Sequence, residues 1–345
     1  MSNQFRMTDG PLLDAQGQLI EKGYQTRLSR VYDRSAIRAG ALRIKEWDYY
    51  CVTSGSKVLA LTIADNSYMG LDSISLLDVD AGWQHTRSIM RAFPMGKTGL
   101  PSTSARGDVC VSGRDYFLRF QNDGRVRVLD AQMGNFQPGK SLKAHLVLTD
   151  EPEDSMVIAT PFAGKPRHFY YNQKINCLSA EGEVVFDGRV YPFRKEDSMA
   201  VLDWGRGVWT YKNTWYWSSL SARLDGVPFG FNLGYGFGDV SAASENMLFY
   251  GGRAFKLDKV EFFIPQTPDG RDDFLKPWTV ADNEGRLNLT FTPALDRASL
   301  TSALVIESDQ HQVFGRFTGR ITLDDGTVLP VRDFFGFAEK VENKW

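Results

Sequence analysis

Apolar and polar residues alternate with a period of two along most of the chain. In one segment Leu142, Ala144, Leu146 and Leu148 share one parity, and the same period returns in residues 287–292. Side chains at every second position of a strand point to the same face of a sheet. Each of these segments therefore predicts a β-strand with one buried face.

Turn signals separate the alternating segments. Asp-Gly pairs recur at 123–124, 187–188, 225–226, 269–270 and 325–326. Such pairs supply the positive φ angles that tight hairpin turns require. Before the first pair Tyr116, Leu118 and Phe120 alternate with polar residues, and after it Val126 and Val128 do the same. This arrangement predicts a hairpin whose buried face carries those five residues.

Helical periodicity sustained over three turns is scarce, and residues 69–77 and 293–303 are the best short candidates for a helix. Many consecutive antiparallel strands favour closure into barrels, because closure removes exposed sheet edges. The sequence predicts a mainly β protein of two antiparallel β-barrels in tandem, with residues 1–35 as a lead-in segment across the first barrel. The charged stretch 194–198 marks the predicted boundary. The predicted domains are residues 1–198 and 199–345.

Composition narrows the classes of partner. The 345 residues have a net charge of −2 with both signs interspersed, which gives no electrostatic reason to expect nucleic acid. Three dispersed cysteines favour a reducing compartment, and neither a signal sequence nor a long apolar run is present. We therefore expect a cytoplasmic protein without integral membrane insertion, whose partner is a small molecule.

Aromatic residues are concentrated in residues 203–239. Trp209, Tyr211, Trp215 and Trp217 share one parity, and a turn near residue 212 would fold the first two against the others. Aromatic side chains favour sheet surfaces and the walls of apolar pockets. The segment therefore predicts an aromatic wall that lines a ligand pocket.

A strand with glycine on one face follows the tryptophans. Residues 229–237 place aromatic and leucine side chains on one parity and Gly230, Asn232, Gly234 and Gly236 on the other. Glycine weakens a strand, so a glycine face indicates that a ligand or the aromatic wall approaches the backbone closely. Asn232 is the one amide on that face and is predicted to meet a ligand.

Asp203 and Arg206 stand at the start of the aromatic segment. A carboxyl group near arginine and several tryptophans fits a general acid with a shifted pKa. The same two residues also fit a buried ion pair that pins a corner of the barrel. The sequence leaves both interpretations open.

Other polar residues lie beside aromatic positions. Histidine side chains ordinarily titrate near neutral pH, so His168 is a candidate for proton transfer, although a single histidine more often has a structural role. Tyr171, Asn176 and Glu245 are candidates for lining a pocket. The four histidines show no metal-ligand spacing, and no phosphate-binding or dinucleotide motif is present, so we predict no metal and no cofactor.

Several motifs together carry a resemblance to known proteins. They are KINC at 174–177, DWGRGVW at 203–209, WYW at 215–217, FNLGYGFGD at 231–239 and EN at 245–246. In this combination the chain resembles a bacterial family known as a domain of unknown function. The W-G, W and W-x-W arrangement is more distantly similar to the tandem lipocalin-like barrels of carotenoid 1,2-hydratase and tocopherol cyclase.

That resemblance implies two calycin-type barrels with a hydrophobic pocket near the aromatic segment. It also implies acid-catalysed chemistry, in which a carboxylic acid protonates an alkene and aromatic faces stabilise the cation. Asp203 or Glu245 would be the acid. The chain has Thr210 where tocopherol cyclases carry proline, and the acid of those enzymes has no residue-by-residue match here.

Three functions compete at this point. The first is a module that binds a hydrophobic or isoprenoid-like molecule in a barrel pocket. The second is a cofactor-independent hydratase, cyclase or isomerase, with Asp203 or Glu245 as acid and Arg206 orienting it. The third is a scaffold in which the aromatic segment only joins two barrels. The enzyme requires a desolvated carboxyl group that faces a cavity, and the scaffold requires that no sizeable cavity exists.

Overall fold

The structure is a computed structural model that describes residues 4–303 and 306–345. Up to residue 208 the strands are β1 (Gly10–Pro11), β2 (Gly23–Gln25), β3 (Arg30–Val31), β4 (Ile44–Ser54), β5 (Lys57–Asp65), β6 (Met69–Asp78), β7 (Trp83–Ala92), β8 (Val109–Gly113), β9 (Tyr116–Asn122), β10 (Arg127–Gln137), β11 (Lys140–Thr149), β12 (Met156–Phe162), β13 (Lys165–Phe186), β14 (Arg189–Phe193) and β15 (Ser198–Val208). The later strands are β16 (Lys212–Leu224), β17 (Val227–Tyr235), β18 (Met247–Tyr250), β19 (Arg253–Lys256), β20 (Val260–Phe263), β21 (Trp278–Asp282), β22 (Leu287–Ala303), β23 (Ile306–Thr322) and β24 (Val328–Lys344). Two short 3-10 turns, Arg34–Ala36 and Ala41–Arg43, precede β4.

All strands except β1 and β3, which pair with each other in parallel, form two curled antiparallel sheets in tandem. The first has the order β7-β6-β5-β4-β15-β13-β11-β10-β9-β8, with β12 and β14 also paired to β13 and β2 paired to β12. The second has the order β19-β18-β17-β16-β24-β23-β22-β21-β20. Each sheet encloses its own apolar core, in which Trp204 of the first and Trp278 of the second are fully buried. The predicted fold of two lipocalin-like antiparallel β units is confirmed.

Two-residue hairpin turns form at two of the five Asp-Gly pairs. Asp187 and Gly188 join β13 to β14 with φ angles of 50° and 77°, and Asp225 and Gly226 join β16 to β17 with 51° and 82°. Both residues of each turn lie in the left-handed region, which asparagine, aspartate and glycine adopt most readily.

The first predicted hairpin forms, but its second strand has the opposite face buried. Arg127 and Leu129 point into the first core, whereas Val126 and Val128 are half-buried. The Arg127 guanidinium is stabilised there by Glu151 at 2.7 Å and by the main-chain carbonyl of Ser104 at 2.9 Å. Because these partners compensate the charge of Arg127, its side chain can be buried, and the buried face of this strand is not the one that the apolar residues predicted.

The two short candidates for a helix are strands in the structure. Residues 69–77 belong to β6, and residues 293–303 belong to β22. Nearly all residues of β6 are buried, on both faces of the sheet, so its apolar residues do not keep to one parity. A short apolar run of this kind fits helical spacing as well as it fits a buried strand.

The lead-in segment packs on the first sheet. Strand β2 pairs with β12, and Met7, Leu12 and Tyr32 enter the first core. Strand β15 belongs to the first sheet, so the chain passes to the second sheet at residues 209–211. The division into domains at residue 198 stays a prediction.

A bulge in β13 ties the two sheets together. The pairing of β13 with β15 shifts between Ile175 and Leu178, and Cys177 takes a φ of 64°. This redirects Asn176, whose Nδ2 donates to Ser219 Oγ at 2.8 Å and to the carbonyl of Phe231 at 3.0 Å. Bulges commonly re-aim a side chain in this way.

Candidate functional site

A cavity of about 210 Å³ lies between the two sheets. Its aromatic wall consists of Trp47, Tyr170, Trp209, Trp215, Trp217, Phe237 and Trp345. Its polar side carries Lys174, Asp203, Glu245, Arg297, Gln312 and Glu339. Because both sheets contribute to each set, the cavity exists only when the two sheets are packed together.

Trp209 lies at the centre of the aromatic wall. Its ring makes edge contacts with Trp47, Trp215 and Phe237 at centroid distances of 5.2, 5.8 and 4.7 Å. Trp47 in turn stacks on Tyr170 with an interplanar angle of 12°. These contacts stabilise the wall, so its aromatic faces are held in place before any ligand arrives.

Local sequence explains how the tryptophans reach the cavity. Alternation along β16 directs Trp215 and Trp217 toward the first sheet, while Tyr216 between them packs in the second core. Gly205 of the W-G pair lies opposite Trp47, and a Cβ atom at this glycine would overlap the indole ring. The glycine therefore makes room for a tryptophan that the sequence analysis had not connected with it.

Asp203 forms a buried ion pair on the polar side. Its carboxylate lies 2.8 Å from Lys174 Nζ and accepts a hydrogen bond of 2.6 Å from Asn172 Nδ2. The Lys174 ammonium also lies 4.0 Å from the ring centroid of Trp217. Asp203 thus has the ion-pair role that the sequence left open, but its partner is Lys174 and not Arg206.

Glu339 is the carboxyl group that the sequence analysis missed. Its two oxygens accept hydrogen bonds from Trp215 Nε1 at 2.9 Å and from Gln312 Nε2 at 3.2 Å. Burial raises the pKa of Glu339 to about 7, against the attraction of nearby positive charge. A signal existed in β24, where Glu339 shares its parity with the apolar residues Phe337 and Val341.

Glu245 is the second buried carboxyl group on the cavity. Burial raises its pKa, and the positive charge of Lys174 opposes that shift. A Cβ atom at Gly234 would lie 2.7 Å from the Glu245 carboxyl carbon, so the glycine face of β17 provides space for this side chain. At Gly234 the side chain that approaches the backbone is therefore Glu245 and not a tryptophan of the aromatic wall.

Asn232 lies behind the wall rather than on the cavity. Its Oδ1 accepts a hydrogen bond from Trp217 Nε1 at 2.7 Å, and its Nδ2 donates to the main-chain carbonyl of Glu245 at 2.8 Å. Both ends of the amide are bonded to the protein and the side chain does not line the cavity, so its contact with a ligand stays a prediction. Asn232 instead orients two residues that line the cavity.

Arg206 points away from the cavity into the first sheet. Its guanidinium pairs with Asp48 at 3.0 Å and donates to the carbonyls of Trp47 and Pro101 at 2.7 Å. Residues that are an odd number of positions apart on a strand point to opposite faces of the sheet. Asp203 and Arg206 therefore point to opposite faces of β15. The predicted role of Arg206 in orienting Asp203 is wrong.

Four other predicted site residues also lie off the cavity. His168 is half-buried, and burial together with the positive charges of Arg43 and Lys165 lowers its pKa, which favours the neutral ring. Tyr171 donates to the carbonyl of Arg30 at 2.8 Å and anchors the lead-in segment. Asn176 joins the two sheets as described above, and the Tyr211 side chain is half exposed outside the aromatic wall, at 50%.

Residues 4–303 and 306–345 contain no grouping of histidine, cysteine, aspartate and glutamate that could hold a metal ion. No helix in those ranges has the length and apolar character needed to cross a membrane.

Fold and site together define the class: a tandem lipocalin-like β protein with an aromatic, carboxyl-bearing cavity between its two sheets. The chain belongs to the family described as "Domain of unknown function (DUF2804)", whose model matches residues 4–345. The family resemblance stated from the sequence motifs is confirmed.

Solved structures are similar to the chain at low sequence identity. The crystal structure of a candidate AttH protein from Nitrosomonas europaea is similar with a TM-score of 0.55 at 13% identity, over 91% of this chain and 97% of that one. Kievitone hydratase from Nectria haematococca aligns with a TM-score of 0.48 at 12% identity, over 93% of this chain and 97% of that one. No curated protein sequence matches the chain.

Proposed function

We propose that this protein binds a hydrophobic, unsaturated small molecule in the cavity between its two sheets. The observation that carries this proposal is the aromatic wall, where Trp47, Trp209 and Trp215 surround the cavity beside Tyr170 and Phe237. Flat aromatic faces bind rings and conjugated chains through dispersion and burial of apolar area.

The size of the cavity supports a small ligand. An apolar cavity of roughly 150 Å³ is sufficient for benzene, and this one measures about 210 Å³. It therefore has room for one ring with a short substituent, or for one end of a longer chain. The scaffold hypothesis required that no such cavity exist, so the geometry favours binding.

The proposal is tested by filling the cavity. Thr62 lines it, and Thr62→Trp would place an indole in the ligand space. Thr290 is exposed on β22, so Thr290→Trp adds the same side chain away from the cavity. We expect mass spectrometry of solvent extracts to find an unsaturated compound with the wild type and Thr290→Trp, and much less with Thr62→Trp. Equal amounts with all three proteins, or none with any, would refute the proposal.

A second candidate function is proton transfer to the bound molecule. The observation that favours it is the Glu339 carboxyl group, which faces the cavity and whose pKa burial raises to about 7. A carboxylic acid that is still protonated near neutral pH is a suitable proton donor. Glu245 lies on the same cavity, and burial raises its pKa too.

In this reaction the Glu339 proton is transferred to one carbon of a C=C bond, and the other carbon becomes a cation. The faces of Trp215 and Trp217 stabilise that positive charge. Water or a hydroxyl group of the ligand then adds to the cation, and its excess proton returns to the Glu339 carboxylate. The product is an alcohol or a cyclic ether, and the acid is regenerated.

Proton transfer is tested separately from binding. In deuterium oxide, a bound alkene should gain deuterium when incubated with the wild type. Glu339→Gln keeps the size and polarity of the side chain but has no acidic proton. We expect this variant to retain the ligand and to lose deuterium incorporation, whereas unchanged incorporation would exclude Glu339 as the donor.

A further inference from the structure

Arg297 is a cavity residue that the proposed function does not yet use. It extends from β22 across the gap between the sheets, and its Nη1 donates to Ser75 Oγ of β6 at 2.7 Å. No ion pair among the described residues involves Arg297. A guanidinium group carries five N–H donors in a planar fork, so most of its capacity for hydrogen bonds is left for a ligand.

The other basic group on the cavity is already neutralised. Lys174 pairs with Asp203 at 2.8 Å, and both side chains are almost fully buried. Arg297 is half-buried, and its positive charge acts on Glu339 and on the Tyr49 hydroxyl. Glu339 and Glu245 have pKa values raised by burial, so the charge of Arg297 is not fully balanced when these acids are protonated.

We propose that Arg297 binds the carboxylate of an amphipathic ligand whose unsaturated body lies against the tryptophans of the aromatic wall. This inference rests on the proposed function and adds the class of ligand: an unsaturated or aromatic monocarboxylic acid. The planar guanidinium fork matches a carboxylate with two parallel hydrogen bonds. A single arginine compensates one negative charge on the ligand, and the carboxyl groups beside it disfavour a ligand with more negative charge.

Because Glu339 lies near Arg297, the binding of a carboxylate ligand should depend on pH. The charged and titratable groups that act on Glu339 or are influenced by it are Arg297, Lys174, Asp203, Tyr49, Cys51 and Tyr170. When the pH rises through about 7, Glu339 loses its proton and places a negative charge near Arg297. A bound carboxylate is then repelled, whereas a neutral alcohol of the same shape is not.

The experiment compares matched acids and alcohols. The probes are cinnamate with cinnamyl alcohol and hexa-2,4-dienoate with hexa-2,4-dien-1-ol, titrated against tryptophan fluorescence. In the wild type we expect at least one acid to bind more tightly than its alcohol below neutral pH. Arg297→Gln should weaken that acid by about 10-fold to 100-fold and change the alcohol by less than about 2-fold.

Control variants distinguish an effect of the Arg297 positive charge on binding from an effect of the substitution on folding. Arg297→Lys keeps the positive charge and should retain part of the preference, and Arg316→Gln removes a surface arginine that pairs with Asp333. The pH series on the wild type needs no substitution, and there the preference for the acid should decline as the pH passes neutrality.

Three results would overturn the inference, and they separate it from the cavity proposal. If Arg297→Gln weakens acid and alcohol equally, or if the preference does not change with pH, Arg297 is not the carboxylate anchor and the cavity proposal stands. If the wild type binds neither member of either pair, the proposed hydrophobic cavity is refuted together with this inference.

Discussion

The substitution Glu339→Gln should stabilise the protein at high pH and have little effect at low pH. Burial raises the pKa of this carboxyl group from its usual 4.5 to about 7. Between these values the folded chain keeps a proton that the unfolded chain has released, so a rise in pH destabilises the folded state. The Glu339 carboxyl group therefore contributes its full stabilisation to the wild type below pH 4.5, and this contribution is lost above about pH 7.

The magnitude follows from the shift. One pKa unit corresponds to about 1.4 kcal/mol, so the change from 4.5 to about 7 corresponds to about 3 kcal/mol of unfolding free energy. Glutamine cannot ionise and avoids this cost. It can also keep the hydrogen bonds with Trp215 and Gln312, because the amide of Gln312 can turn to present its oxygen.

The assay is urea denaturation of wild type and Glu339→Gln at pH values from about 5 to about 8. The difference in unfolding free energy should be small at the acidic end and approach about 3 kcal/mol in favour of glutamine at the alkaline end. Glu342→Gln, on the exposed side of the same strand, controls for the chemistry of the substitution. A difference that stays constant over this range, or that favours the wild type as the pH rises, would refute the reasoning.

Three further substitutions test the packing around the cavity. Asn176→Ala removes the amide that joins the sheets and should lower the unfolding free energy by about 2–4 kcal/mol in urea denaturation; a loss under about 0.5 kcal/mol would show that the bulge holds the sheets without it. Gly205→Ala introduces a methyl group where the Trp47 ring lies, so it should lower the unfolding free energy by about 1–3 kcal/mol and change the near-ultraviolet circular dichroism spectrum. An unchanged spectrum would contradict the overlap. Lys174→Met leaves the buried Asp203 carboxylate without its positively charged partner and should lower the unfolding free energy by about 3–5 kcal/mol in thermal or chemical unfolding. A variant as stable as the wild type would disprove the buried ion pair.

The aromatic wall was predictable because the period of a strand is local. Trp215 and Trp217 share a parity, and that parity faces the cavity. The same local logic failed for Tyr211, which has the parity of the tryptophans but lies in the link between β15 and β16. A period of two predicts a face only as far as the strand continues.

The partners of the charged residues were not predictable, because they come from distant parts of the chain. Asp203 and Arg206 are close in sequence, yet the first pairs with Lys174 on β13 and the second with Asp48 on β4. Strand order and register decide which side chains meet across a sheet. Neither can be deduced from the spacing of two residues on one strand.

The sequence by itself determined the β architecture, two of its hairpin turns, the aromatic wall and two of the three carboxyl groups on the cavity. These follow from alternation, from Asp-Gly backbone preferences and from local enrichment in tryptophan, all of which act over a few residues. Only the tertiary structure decided that Glu339 and Arg297 join them, because β22 and β24 reach the cavity through the packing of one sheet against the other. The pKa of Glu339 likewise depends on burial by both sheets, and burial is a property of the assembled fold.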